Sequence, residues 1–130
     1  MPAHDLALLT HAARAAGEIA MRHWRNAPKA WEKGDQGPVT EADIAVNDML
    51  QHELRGARPG YGWLSEETPD TLQRQEYEYT FIIDPIDGTR AFIAGEQHFS
   101  HSLAVAQNGV VTTAVVYLPA LDQLYTATQD

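Results

Sequence analysis

The chain has 130 residues, with nine Lys or Arg against eighteen Asp or Glu, a formal net charge of −9 and no cysteine. That length fits one domain of about 100–150 residues, and such a chain buries roughly two-thirds of its unfolded surface without a covalent staple. The missing thiols exclude a disulfide scaffold, thiolate-bound zinc and a cysteine nucleophile, and the negative charge argues against a nucleic-acid polymer or an anionic membrane as partner.

The first apolar stretch, Leu6-Ala7-Leu8-Leu9, is too short and interrupted for a signal-peptide core. No run approaches the roughly 20 apolar residues of a membrane span, so the expected location is cytoplasmic. Leu6, Leu9, Ala13, Ala16, Ile19, Ala20 and Trp24 recur at helical spacing and predict a helix from Asp5 to about Arg25. Asp5 is its expected N-terminal cap or first-turn acid, and Pro28 lies beyond its end. Trp31 to Pro38 reads as a turn-rich connector or hairpin. Thr40-Glu41-Ala42-Asp43 has the form of a capping box. It opens a second helix to about Arg55, with Ala42, Val46, Met49, Leu50 and Leu54 on one face.

Gly56 to Gly62 ends that helix, and Tyr61 to Leu64 forms a short strand broken at Ser65-Glu66-Glu67. Thr68 to Glu78 is polar and reads as a surface loop. Tyr79 to Asp84 is β-branched and aromatic, which predicts a buried strand. Arg90 to Ala94 is a short helix ended by Gly95. Ser100 to Gln107 and Val110 to Tyr117 are strands joined at Asn108-Gly109, a strong hairpin signal. After a turn at Pro119 to Gln123, Leu124 to Thr128 adds one more strand. The expected fold class is α+β, with two N-terminal helices packed on a mostly antiparallel sheet.

Asp84-Pro85-Ile86-Asp87-Gly88-Thr89 carries the most chemical information. Pro85 stiffens the turn, and Gly88 allows close approach of the backbone. Two carboxylates on one turn repel unless a cation lies between them, and Mg²⁺ suits such a site because it takes carboxylates, waters and substrate phosphate. Amides of Gly88 and Thr89 at the start of the short helix offer a seat for phosphate. Glu66, Glu67 and Asp43 could join a two-metal cluster with ions about 3.5–4 Å apart. Alone, Asp43 reads as a helix cap, Glu66-Glu67 as a solvated turn and Asp87-Gly88 as a common turn dipeptide. The six histidines read as surface or partly packed residues, and Trp24, Trp31 and Trp63 as packing residues.

Three ordered motifs, Val39-Thr40-Glu41-Ala42-Asp43, Leu64-Ser65-Glu66-Glu67 and Ile83-Asp84-Pro85-Ile86-Asp87-Gly88-Thr89, resemble those of the inositol monophosphatase superfamily of Mg²⁺-dependent, lithium-sensitive phosphatases. The resemblance runs from the first helix to Thr128. It implies that residues 1–130 form a metal- and phosphate-binding domain, the N-terminal half of a layered αβαβα sugar-phosphatase fold. It implies two or three Mg²⁺ ions, with Glu66, Asp84 and the Ile86 carbonyl on the first and Asp84 and Asp87 on the second. Glu66, Thr89 and Asp43 would orient a water and accept its proton. Glu67 and Lys33 match positions near the metals, and the Gly88 and Thr89 amides would hold phosphate. A small phosphorylated metabolite is the implied partner, such as an inositol monophosphate, a 3′(2′),5′-bisphosphate nucleotide or histidinol phosphate. A homodimer is also implied.

The sequence departs from the family at one further motif. No tryptophan here is followed by aspartate, so the Trp-Asp pair of the family's C-terminal half, which completes the second metal site, is missing. The resemblance therefore implies that the C-terminal half is absent. Arg90-Ala91-Phe92-Ile93 is nearer the nucleotidase and histidinol-phosphatase branches. The alternatives are a catalytically silent metal- and phosphate-binding module and, from a different class, an acidic interaction domain.

Overall fold

The protein is described from a computed structural model covering residues 2–34, 37–70 and 76–129. Its elements run α1 (Pro2–His23), β1 (Ala30–Glu32), β2 (Pro38–Thr40), α2 (Glu41–Ala57), β3 (Gly62–Ser65), β4 (Tyr79–Asp87), α3 (Thr89–Ile93), β5 (Ser100–Gln107), β6 (Val110–Leu118) and β7 (Gln123–Thr128). The class is α+β, as the pattern of helices followed by strands predicts. Part of the expected loop at Thr68–Glu78 and of the connector before β2 lies outside the described residues.

β1 and β2 form a small antiparallel hairpin, and the other strands form one sheet in the order β3-β4-β5-β6-β7. Every pairing in that sheet is antiparallel except β3 with β4, which is parallel. Asn108 (φ 50°) and Gly109 (φ 85°) make the β5–β6 turn, as a type I′ hairpin requires. Phe81 and Ile83 of β4, Leu103 and Val105 of β5 and Val115 of β6 alternate inward to meet the helices. From α2, Val46, Leu50 and Leu54 are fully buried, and from α1 Leu9 and a series of alanines. Each fully buried Leu or Val contributes about 1.5–3 kcal/mol relative to leaving it exposed.

α1 starts at Pro2, earlier than the periodicity indicates, so Asp5 is the acid of its first turn rather than its cap. Asp5 is 1% exposed. Its carboxylate accepts from Arg58 Nε at 3.2 Å and from the Tyr61 hydroxyl at 3.0 Å. A buried charge needs such partners, and these tie the start of α1 to the end of α2 and the approach to β3. β4 also runs past the expected end at Asp84 to Asp87. Trp24 and Trp63 pack against the core, whereas Trp31 is 48% exposed.

The alanine-rich face lets α1 lie close to the sheet, and Gly17 sits against Tyr117 and Pro119. A Cβ there would lie 2.7 Å from Tyr117 Cε2 and 3.0 Å from Pro119 Cβ. Gly17→Ala should therefore destabilise the fold, because overpacking of about 1–3 kcal/mol exceeds the gain of about 1 kcal/mol in helix propensity. Gly56→Ala, where nothing lies within 4 Å, should raise stability by about 0.5–1 kcal/mol. Urea unfolding of the two variants checks the contrast; a stabilising Gly17→Ala would contradict the close packing.

Candidate active site

The end of β4 sets the geometry. Residues an odd number apart on a regular strand face opposite sides of the sheet, so Asp84 and Asp87 would be separated. The pairing avoids this. Asp84 opposes Ser102 and Asp87 opposes Ser100, so three steps on β4 match two on β5. One extra residue makes a β-bulge, which re-aims side chains beside it. Pro85 and Ile86 both turn inward and are buried, and Asp87 emerges exposed. Both aspartates thereby line one cavity of about 390 Å³, together with Glu66, Glu67, Ile86, Gly88 and Thr89, while Lys33, Pro38 and Arg90 complete its wall. Gly88 adopts φ 88°, and a Cβ on it would lie 3.0 Å from the His98 carbonyl oxygen. Both facts favour glycine at that position.

Asp43 stands behind the cavity, 2% exposed. The capping box forms as its sequence indicates. Asp43 Oδ2 accepts from the Thr40 backbone N–H at 2.8 Å and from Thr40 Oγ1 at 2.6 Å, while the Asp43 N–H donates to Thr40 Oγ1 at 3.2 Å. Its other oxygen, Oδ1, accepts from Thr89 Oγ1 at 3.0 Å. Thr89 Oγ1 also lies 3.2 Å from the Ile86 carbonyl. Its single proton serves the carboxylate better, since a hydrogen bond to an ionised acceptor is the stronger one.

Glu66 and Glu67 follow β3. The Lys33 ammonium donates to the Glu66 carbonyl at 2.5 Å and lies 3.5 Å from Glu67 Oε2. Burial pushes the Glu67 carboxyl above its usual range, against the opposing pull of Lys33. Beneath them runs a network that sequence reasoning missed. Ser65 Oγ donates to Asn47 Oδ1 at 2.6 Å, Asn47 Nδ2 donates to Thr68 Oγ1 at 3.0 Å, and Trp63 Nε1 donates to the same hydroxyl at 3.2 Å. The available signal was Asn47, a polar residue one turn after Asp43 on the same helix face.

The acids repel one another. Burial, then Asp87, Glu66, Asp43 and Glu67 in decreasing order, raise the Asp84 carboxyl from 3.8 to about 7. Among the described residues, no group of three or more His, Cys, Asp or Glu is placed to hold a metal ion. Mg²⁺ does not need one, because it keeps several waters and uses one or two carboxylates plus substrate phosphate. The oxygen-only donor set of Glu66, Asp84 and Asp87 in one cavity fits such an ion chemically. One histidine departs from expectation: His101 is fully buried rather than partly packed.

The sequence matches the inositol monophosphatase family over residues 2–130. It is 39% identical over 94 residues to the inositol-1-monophosphatase of Mesorhizobium japonicum, covering 72% of this chain and 35% of that protein. It is 36% identical over 120 residues to the 3′(2′),5′-bisphosphate nucleotidase CysQ of Salmonella typhimurium, covering 90% of this chain and 49% of that protein. Among solved structures, the IMPase of Thermotoga maritima superposes with a TM-score of 0.86 at 33% identity, over 99% of this chain and 49% of that one. The extragenic suppressor protein suhB of Bartonella henselae gives 0.88 at 30%, over 97% and 49%. The chain thus spans between about a third and a half of the length of these relatives. The match over nearly the whole of this sequence shows that the chain belongs to the inositol monophosphatase family.

Proposed function

We propose that these residues form the metal- and phosphate-binding domain of a Mg²⁺-dependent phosphomonoesterase acting on a small phosphorylated metabolite, of the inositol monophosphate or 3′(2′),5′-bisphosphate nucleotide type. The observation that carries this reading is the bulge, which puts Asp84 and Asp87 into one cavity with Glu66 and Thr89. Glu66, Asp84, Asp87 and the Ile86 carbonyl would hold two or three Mg²⁺ ions. Bound there, Mg²⁺ lowers the pKa of water and neutralises charge on phosphoryl oxygens.

The chain's own groups supply the rest. Asp43 Oδ1 holds the Thr89 proton, leaving the Thr89 oxygen lone pairs free to accept from an attacking water. As the water loses its proton to Thr89 Oγ1, Thr89 passes its own toward Asp43, which acts as the base through the hydroxyl. Glu66 helps orient the same water, and the Gly88 and Thr89 amides donate to phosphate. Lys33 steadies the Glu66-Glu67 segment. Family resemblance supports lithium inhibition, a homodimer and a cytoplasmic location. No helix is long and apolar enough to cross a membrane among the described residues.

In the full-length enzyme, Mg²⁺ should stimulate phosphate release and Li⁺ should inhibit it. Thr89→Val should lower kcat by about 10²–10⁴, the range for general acid–base contributions, while Thr89→Ser keeps the hydroxyl and stays within roughly tenfold. Equal activity of the Val and wild-type forms would reject the relay. Mg²⁺ binding without turnover by the full-length protein would favour the binding-module reading.

A stability measurement tests the crowding of acids. The metal-free fold binds the Asp84 proton more tightly than the unfolded chain does, so this group's contribution to stability falls as pH rises from 3.8 to about 7 and is flat above. Asp84→Asn removes that loss. The variant's melting temperature should exceed wild type by a margin that grows across this window, and its response to Mg²⁺ should vanish. A margin independent of pH would contradict the assignment.

A further inference from the structure

We propose that His101 is a positioning residue for the acidic turn: its Nδ1–H donates to the Pro85 carbonyl and pins the β-bulge that brings Asp84 and Asp87 into one cavity. Resting on the metal-site reading above, the inference assigns a part to a side chain outside the three sequence motifs.

The argument begins with the backbone. A bulge leaves part of the strand ladder unpaired, and here the interrupted stretch is Pro85 and Ile86, opposite His101 on β5. Proline has no N–H to give, and both residues are buried. Side chains lie against both carbonyls at this point, and His101 is the one with a proton to give, since that of Thr89 goes to Asp43. Thr89 Oγ1 lies 3.2 Å from the Ile86 oxygen, and His101 Nδ1 lies 2.5 Å from the Pro85 oxygen. A carbonyl can only accept, so Nδ1 carries the proton. Burial lowers the imidazole pKa to about 4 against a smaller opposing effect of the Pro85 contact, which keeps the ring neutral near pH 7.

A residue that only filled this space would carry no polar atom. The imidazole instead brings Nε2, which has no hydrogen-bond partner among the described residues. Among the described residues the ring's one hydrogen bond is therefore to the Pro85 carbonyl. That contact sits between the two aspartates in sequence, at the point where the strand changes phase. Groups that orient ligands in this way commonly change metal affinity by about 10–100-fold when removed.

Nitrogen-15 labelling of histidine tests the tautomer, with Nδ1 protonated expected at pH 7 and Nε2 protonated overturning the proposal. In the metal-free chain, His101→Leu should shift the amide resonances of Ile86 to Thr89, and His101→Asn, which restores a donor near Nδ1, should return them toward wild type. The Mg²⁺ concentration giving half the maximal rise in melting temperature should increase about 10-fold or more in His101→Leu and recover in His101→Asn. Val105→Ala, a core change on the same strand, should lose stability without moving that concentration. Unchanged turn amides in His101→Leu, or a Mg²⁺ midpoint equal to wild type or matched by Val105→Ala, would overturn the proposal. A wild-type chain with no Mg²⁺ response would reject the metal-site reading instead, and the tautomer and amide arms would still decide the role of His101.

Discussion

The site depends on one buried carboxylate. Asp43 cannot be left in the protein interior without partners, because an unpaired buried charge is costly. Its Oδ2 is committed to Thr40, where it satisfies a backbone N–H and completes the start of α2. Oδ1 is then free to face one direction, and there it meets Thr89 at the start of α3. A single group closes the end of one helix and fixes the hydroxyl that opens the next. The Thr89 side chain is thus as rigid as the capping box that backs it.

The cavity in front of that carboxylate follows the opposite logic. Asp84, Asp87, Glu66 and Glu67 are held near one another although they repel, and Lys33 opposes that charge at the Glu67 end. The acids stay because the elements carrying them are fixed elsewhere, by the Phe81 and Ile83 face of β4 against the helices and by the Asn47, Ser65 and Thr68 network under the Glu66-Glu67 turn. Stability built in the core offsets destabilisation at the site, a common arrangement where a ligand is to supply the missing charge.

Much of this is local and could be read from the chain. The alanine and leucine periodicity of α1, the Thr40–Asp43 capping box and the Asn108-Gly109 turn each depend on residues within one or two turns of one another. The acid motifs were legible for the same reason. What escaped were partners far apart in sequence. Asp5 meets Arg58 and Tyr61, 53 and 56 residues away, and nothing near Asp5 announces a buried ion pair. His101 meets Pro85 across the sheet. β4 continues beyond Asp84 although Pro85 has no N–H for the ladder, and only the pairing with β5 shows that the strand resumes beyond it. Trp31 is a packing residue by its type, yet on the short β1–β2 hairpin its side chain is left half exposed.

The bulge at Pro85 and Ile86 also constrains how this segment can vary. Side-chain direction along a strand is a matter of parity, and the extra residue changes the parity once, between the two aspartates. Substitution leaves that count intact. Insertion or deletion of one residue between Asp84 and Asp87 reverses it and sends one carboxylate to the helix side, into apolar surroundings. Loops elsewhere on such a sheet absorb changes of length at small cost, but the spacing within this hexapeptide is effectively an integer that drift in length cannot alter by one.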